Sequence, residues 1–171
     1  MMEKNRTREM AIAAMLTALV CITTMIITIP SPLKGYLNLG DGVVLLAGWL
    51  LSPGYGFVAA GLGSAMADVF SGYIVYAPAT FVIKGLMAFV ACCGYKVLAK
   101  NSNRRVSRLI PGILAEVVMV LGYFVFEGFL YGFIPSAINI PANSVQGMAG
   151  LVLGCVLIRL FERHKLTTMA K

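Results

Sequence analysis

Residues 72–86 read GYIVYAPATFVIKGL, and how this stretch is read decides the fold. Apolar residues surround Lys84 on both sides, six positions after Pro78, in a run that otherwise suits a membrane span. Just upstream, GSAMADVFSGY (63–73) places Asp68 in a similar setting. A charged side chain facing hydrocarbon is costly, so such residues turn toward a bundle interior or a watered cavity.

The rest of the chain supports the membrane reading. Of its 171 residues, 59% are hydrophobic and 12% charged, with a mean hydropathy of +0.86. A soluble domain carries roughly 25% charged residues. The length suits five or six spans of roughly 20 residues with short loops, in one domain over residues 1–171. The first 30 residues begin basic, but their apolar run is too long for a cleaved signal. Four cysteines (Cys21, Cys92, Cys93 and Cys155) lie in apolar stretches without metal-ligand spacing, and read as small hydrophobes. The single histidine, His164, falls in the basic tail.

Pattern and punctuation place spans at about 9–29, 42–52, 55–71, 78–99, 109–133 and 142–162. Pro30 and Pro32 end the first, and SPGYG (52–56) makes a tight reversal between the second and third. The second is too short to cross about 30 Å of hydrocarbon as a straight helix. The net charge of +7 comes mainly from three clusters: Lys4, Arg6 and Arg8; Lys96 to Arg108; and Arg159 to Lys171. With six spans all three fall on one side, leaving Lys34 as the one basic residue in the opposite loops. The positive-inside rule then predicts an all-α six-helix membrane bundle with both termini cytoplasmic.

Five ionisable residues lie within or beside these spans: Asp41 at an edge, then Asp68, Lys84, Glu116 and Glu127. At about 1.5 Å per residue, Asp68 and Lys84 sit roughly 5 and 9 Å below the outer ends of consecutive spans. Opposite charge at similar depth suggests a structural ion pair, and equally two residues walling an outward-facing cavity. Glu116, Val120, Tyr123, Glu127 and Tyr131 fall on one helical face of span 5. Asn143 and Gln146 share a face of span 6, and Tyr36, Asn38, Tyr73, Tyr76 and Asn139 collect in the outer loops. Aromatic rings with a few directed polar groups suit a small, flat, polar ligand. Small residues dominate span 3, recur as Gly147, Gly150 and Gly154 in span 6, and occur as Ala11, Ala14 and Ala18 in span 1. In spans 3 and 6 they predict close internal helix packing, whereas in span 1 they equally suit a partner. No Walker A, HExxH or metal-cluster pattern appears.

Residues 35–86, with NLGD, the Pro-Gly turn, a Gly/Ala-rich span ending in AD, and GYIVYAPATFVIKG, resemble the substrate-binding S component of energy-coupling factor (ECF) vitamin transporters. The resemblance is strong for that segment and general for residues 100–171. It implies a non-enzymatic, multi-pass protein of the bacterial plasma membrane that binds a vitamin or vitamin precursor from outside. It further implies association with a transmembrane T component and two ATP-binding subunits, which hold the ATP while this chain carries no cofactor. ATP hydrolysis there would topple the S component to release ligand inward. Carried onto this chain, it places Asn38, Asp41, Asp68, Tyr76, Lys84, Glu127, Asn143 and Gln146 in the substrate pocket. Ala11, Ala14 and Ala18 become the partner face.

Among ligands, a small pyridine or pyrimidine compound (pyridoxine or hydroxymethylpyrimidine-like) leads on the acidic and amide groups. Riboflavin comes second, and a queuosine or folate precursor behind it. A different class is an autonomous secondary transporter or proton-coupled channel using Glu116 and Glu127 as relay. A purely structural membrane subunit is the third.

Overall fold

The computed structural model describes residues 2–31 and 35–163. Lys34 and His164 lie outside them. Seven helices and one small hairpin follow in order: α1 (Met2–Ile26), β1 (Ile29–Pro30), β2 (Tyr36–Leu37), α2 (Asp41–Leu50), α3 (Pro53–Phe70), α4 (Ala77–Leu98), α5 (Arg104–Tyr131), α6 (Phe133–Ser136) and α7 (Asn139–Arg163).

Local chemistry sets several boundaries. Asn103 caps α5, its Oδ1 accepting from the Val106 N–H at 2.9 Å. Pro53 opens α3 at a position where its missing N–H costs nothing. Gly132, at φ +93°, ends α5 in a conformation that a residue with a Cβ rarely adopts, and turns the chain into α6.

The six helices of ten residues or more run alternately up and down. They have a basic end, with the start of α1 and the end of α7, and a hairpin end. Four segments are long and apolar enough to cross a bilayer by themselves: Arg6–Ile26, Ala77–Leu98, Arg104–Tyr131 and Phe133–Arg163. α3 is diluted by glycine, alanine and serine. α2, at ten residues, covers only about 15 Å. The expected second span is thus a short helix, with nine of its ten residues buried. It is apolar all round because it has protein on every side: α1, α3, α4, α5 and α7 all pack against it.

The hairpin corrects the expected open loop after span 1. α1 stops at Ile26, and Ile29 and Pro30 pair antiparallel with Leu37 and Tyr36. Two-residue strands are too short for the alternation that marks a strand in sequence.

Small residues in α2 and α3 do pack internally. A Cβ on Gly61 would stand 2.5 Å from the Phe81 carbonyl oxygen, one on Gly63 2.5 Å from that of Thr17, and one on Gly48 2.6 Å from that of Ala88. α1 differs. Ala13, Leu16 and Val20 turn inward, whereas Ala11, Ala14 and Ala18 are exposed on its outer face. At the basic end, Glu9 Oε1 accepts from the Ser52 N–H at 2.6 Å, tying α1 to the start of α3. Arg108 donates to Glu162 at 2.8 Å and lies 5.2 Å from the centre of the Tyr95 ring.

Candidate functional site

Polar side chains converge at the hairpin end in two connected layers. The deeper layer is a hydrogen-bonded chain linking the segment after β2 to α7, α2 and α4. Asn38 holds its own turn, its Oδ1 accepting from the Gly40 N–H at 2.9 Å. The Asn38 N–H donates to Gln146 Oε1 at 3.0 Å. Gln146 Nε2 then donates to Asp41 Oδ2 at 2.6 Å, and Lys84 Nζ donates to Asp41 Oδ1. Asp41 is the first residue of α2, where the helix N-terminus favours negative charge. All four residues are buried.

This layer corrects the sequence pairing. Lys84 joins Asp41, not Asp68. Depth along consecutive helices put Asp68 and Lys84 at the same level, but depth says nothing of the helix in the middle. The short α2 carries Asp41 to the level of Lys84.

Above this chain, Ser31, Gly35, Tyr36, Asn38, Asp68, Tyr76, Thr80, Tyr123, Glu127, Asn143 and Gln146 line a tight pocket with about 20 Å³ of free space, partly open to the outside. Tyr36 of the hairpin donates to Asp68 Oδ1 at 2.7 Å. Burial, and then the Asp68 charge, push the Tyr36 phenol far above its usual range, so it remains a donor. Asp68 Oδ2 is buried without a hydrogen-bond partner among the described residues. Asn139 Nδ2 donates to both Glu127 oxygens at 2.9 Å, and Tyr76 reaches Oε1 at 3.4 Å. Thr80 and Tyr123 share a hydroxyl hydrogen bond of 3.0 Å. Tyr36 packs on Tyr73 with ring centres 4.6 Å apart, and Tyr76 meets Phe126 edge-on at 5.3 Å.

Six of the eight candidate positions therefore line one pocket: Asn38, Asp68, Tyr76, Glu127, Asn143 and Gln146. Asp41 and Lys84 are in contact with it through Gln146 and support its floor. Sequence reasoning did not select Ser31, Gly35, Tyr36, Thr80 or Tyr123. Tyr36 and Tyr123 stood among the noted tyrosines, and Thr80 had a usable signal, lying midway between Tyr76 and Lys84 on one face of α4.

Glu116 lies apart from the pocket. A Cβ on Gly150 would stand 2.6 Å from Asp41 Cβ and 3.1 Å from Glu116 Oε1, so both acids pack against α7 at this glycine. Glu116 also borders a groove of about 270 Å³ between α5 and α7, whose walls include Ile113, Val117, Leu121 and Met148. That groove is roomier than the polar pocket but opens sideways among exposed apolar residues. It offers few directed polar groups to a water-soluble ligand, so the polar pocket is the better candidate.

Comparison with known proteins agrees with this architecture. Residues 4–163 match the family model described as "ECF-type riboflavin transporter, S component". A protein of Pyrococcus woesei described as an uncharacterized protein in a gap 3′ region is 37% identical over 136 residues, covering 79% of this chain and 88% of that one. The thiamine precursor transporter HmpT of Lactococcus lactis is 26% identical over 166 residues, covering 95% and 93%. In three dimensions the fold matches a structure titled "Structure and mechanism of the S component of a bacterial ECF transporter", with TM-score 0.75 and 24% identity over 93% of this chain and 98% of the other. Family match, shared fold and apolar helices agree: the chain is a multi-pass plasma-membrane protein belonging to the S-component family of ECF transporters.

Proposed function

We propose that this chain captures a small amino-substituted pyridine or pyrimidine, a vitamin or vitamin precursor, from outside the cell. The hairpin end faces outward and the basic end, with both termini, faces the cytoplasm, as the positive-inside rule favours. The observation that carries the reading is the pocket under the hairpin, where polar groups from β2, α3, α4, α5 and α7 meet. Its ionisable walls are acidic. Asp68 and Glu127 border it together with the amides of Asn143 and Gln146, and no Lys, Arg or His lines it among the described residues. Such walls favour a ligand rich in N–H donors and disfavour phosphate esters and carboxylates. The free space left between these side chains is small, about 20 Å³, so a single ring enters only as the hairpin and the tyrosine side chains yield. The description of HmpT as a thiamine precursor transporter adds weight to the same choice.

Riboflavin is the second reading, favoured by the description of the family model. Its three-ring system is larger and carries several acceptors of its own, which meet the carboxyls of Asp68 and Glu127 here.

The chain itself binds, and ATP is hydrolysed in two partner subunits joined through a transmembrane T component. The outward stripe of Ala11, Ala14 and Ala18 lets a partner helix approach closely. Mass spectrometry of small molecules released from the detergent-purified protein tests the reading. A stoichiometric aminopyrimidine or aminopyridine is expected. Recovery of riboflavin moves the assignment to the second reading, and an empty protein that binds neither compound overturns both.

A further inference from the structure

We infer that the pocket takes its ligand as a cation, with Asp68 Oδ2 and the neighbouring Tyr36 and Tyr76 side chains as its counterparts. Four carboxyl groups lie inside the bundle, those of Asp41, Asp68, Glu116 and Glu127, with relative exposures of 0, 3, 8 and 3%. Among the described residues one buried ammonium, Lys84, stands against them, and it is already bonded to Asp41. Buried charge is tolerated when paired, so any carboxylate of this set that keeps its charge needs a positive partner, and Lys84 is already taken.

Of the four, Asp68 and Glu127 line the pocket, and Asn139 already donates to both oxygens of Glu127. The groups around Asp68 are Tyr36 from β2, Thr80 and the more distant Lys84 from α4, and Tyr123 from α5. Tyr36 satisfies Oδ1, while Oδ2 is buried with no partner among the described residues. Asp68 lines the pocket beside Tyr36, Tyr76 and Tyr123, so one carboxyl group and three tyrosines border the same cavity. Carboxylate and aromatic faces together are the surroundings that stabilise an organic cation. The described residues hold no group of three or more His, Cys, Asp or Glu that could bind a metal ion. A flat, protonated or quaternised nitrogen heterocycle fits both the charge and the rings.

This inference rests on the substrate-binding role proposed above, and calorimetric titration of the detergent-purified chain can separate the two. The decisive probes are 4-amino-1-methylpyridinium, a permanent cation, and 4-methylaniline, its neutral isostere at neutral pH. The cation is expected to bind at least about tenfold tighter, the scale set by one desolvated charge pair. In Asp68→Asn that preference should largely disappear while the weaker binding of the neutral probe is kept. Equal binding of the two probes, or binding of neither, overturns the inference. Should Asp68→Asn fail to fold, the probe pair on the unmodified protein still decides. An aminopyrimidine titrated in parallel tests the substrate role. If it binds while the probe pair shows no charge preference, the cation inference fails and the substrate assignment survives. If the cation is preferred but the aminopyrimidine does not bind, the charge inference survives and the substrate assignment falls.

Discussion

Two ion pairs hold helices together at opposite ends of this bundle, and they are not equivalent. Lys84 and Asp41 join α4 to α2 with side-chain exposures of 2 and 0%. Arg108 and Glu162 join α5 to α7 with exposures of 10 and 26%, and Arg104, 78% exposed, shares the same glutamate. The first pair has no water to fall back on, so it stands only because Gln146 and the start of α2 satisfy Asp41 as well. In the second, Arg104 and Glu162 can exchange their contacts for solvent, while Arg108 is largely covered. An ion pair's weight therefore follows what replaces it when it breaks, and here that sets the polar floor under the pocket apart from a surface lock.

The largest expected effect comes from breaking the buried pair from one side. Lys84→Met leaves Asp41 uncompensated and should cost about 3–5 kcal/mol, read as a drop in thermal stability in detergent. Adding Asp41→Asn should recover much of that loss, because the orphaned charge goes with it. A single variant as stable as the parent would place the pair in contact with water and erase the contrast. Ligand affinity should also fall much further in Lys84→Met than in Lys34→Met, since Lys84 supports the pocket floor through Asp41 and Gln146.

How much of this could be read from sequence differs between the same two regions. The basic end is legible because charge clusters and apolar lengths follow from composition alone. At the hairpin end, residue types were legible and partners were not. Asn38, Gln146, Asp68 and Glu127 announced themselves as polar groups in apolar surroundings. Yet the bonds joining Asn38 and Asp41 to Gln146 span 108 and 105 positions, which no local pattern encodes. Asp41 seemed a residue at the edge of a weak span. Its role as the partner of Lys84 depends on α2 being a short central helix. The hairpin that brings Tyr36 over Asp68 was hidden for a similar reason, since two paired residues carry no period.

The next effect tests the wall of the pocket. Tyr36→Phe removes the hydrogen bond the geometry gives Asp68, a bond to a charged group that contributes about 1.5–3 kcal/mol. Stability should fall by part of that amount, and ligand affinity with it, because β2 loses its tether to α3. An unchanged melting temperature with unchanged affinity would show that the hairpin does not depend on this contact.

Packing offers a comparison between two glycines. Gly150→Ala would drive a methyl to 2.6 Å from Asp41 Cβ and 3.1 Å from Glu116 Oε1. Overpacking there should cost about 1–3 kcal/mol and disturb the Asp41 network. Gly54→Ala in α3 meets nothing within 4 Å, so the better helix former should leave stability level or raise it by up to about 1 kcal/mol. Equal costs at both positions would mean that the α2–α7 contact is looser than the packing indicates.

The smallest effect belongs to the surface lock. Glu162→Gln removes the acceptor charge shared by Arg104 and Arg108 but leaves an amide oxygen that can still accept from Arg108. Half-exposed pairs of this kind contribute about 0–1 kcal/mol, and mobile ions screen what remains. The stability gap between Glu162→Gln and the parent should therefore narrow as salt is raised, whereas the gap for Lys84→Met should not respond. A salt-insensitive loss of several kcal/mol in Glu162→Gln would instead mean that the Arg108 guanidinium, buried against Tyr95 with its Nε unpartnered among the described residues, depends on that carboxylate as strictly as Lys84 does on Asp41. The basic end would then hold a second buried polar layer, opposite the one beneath the pocket.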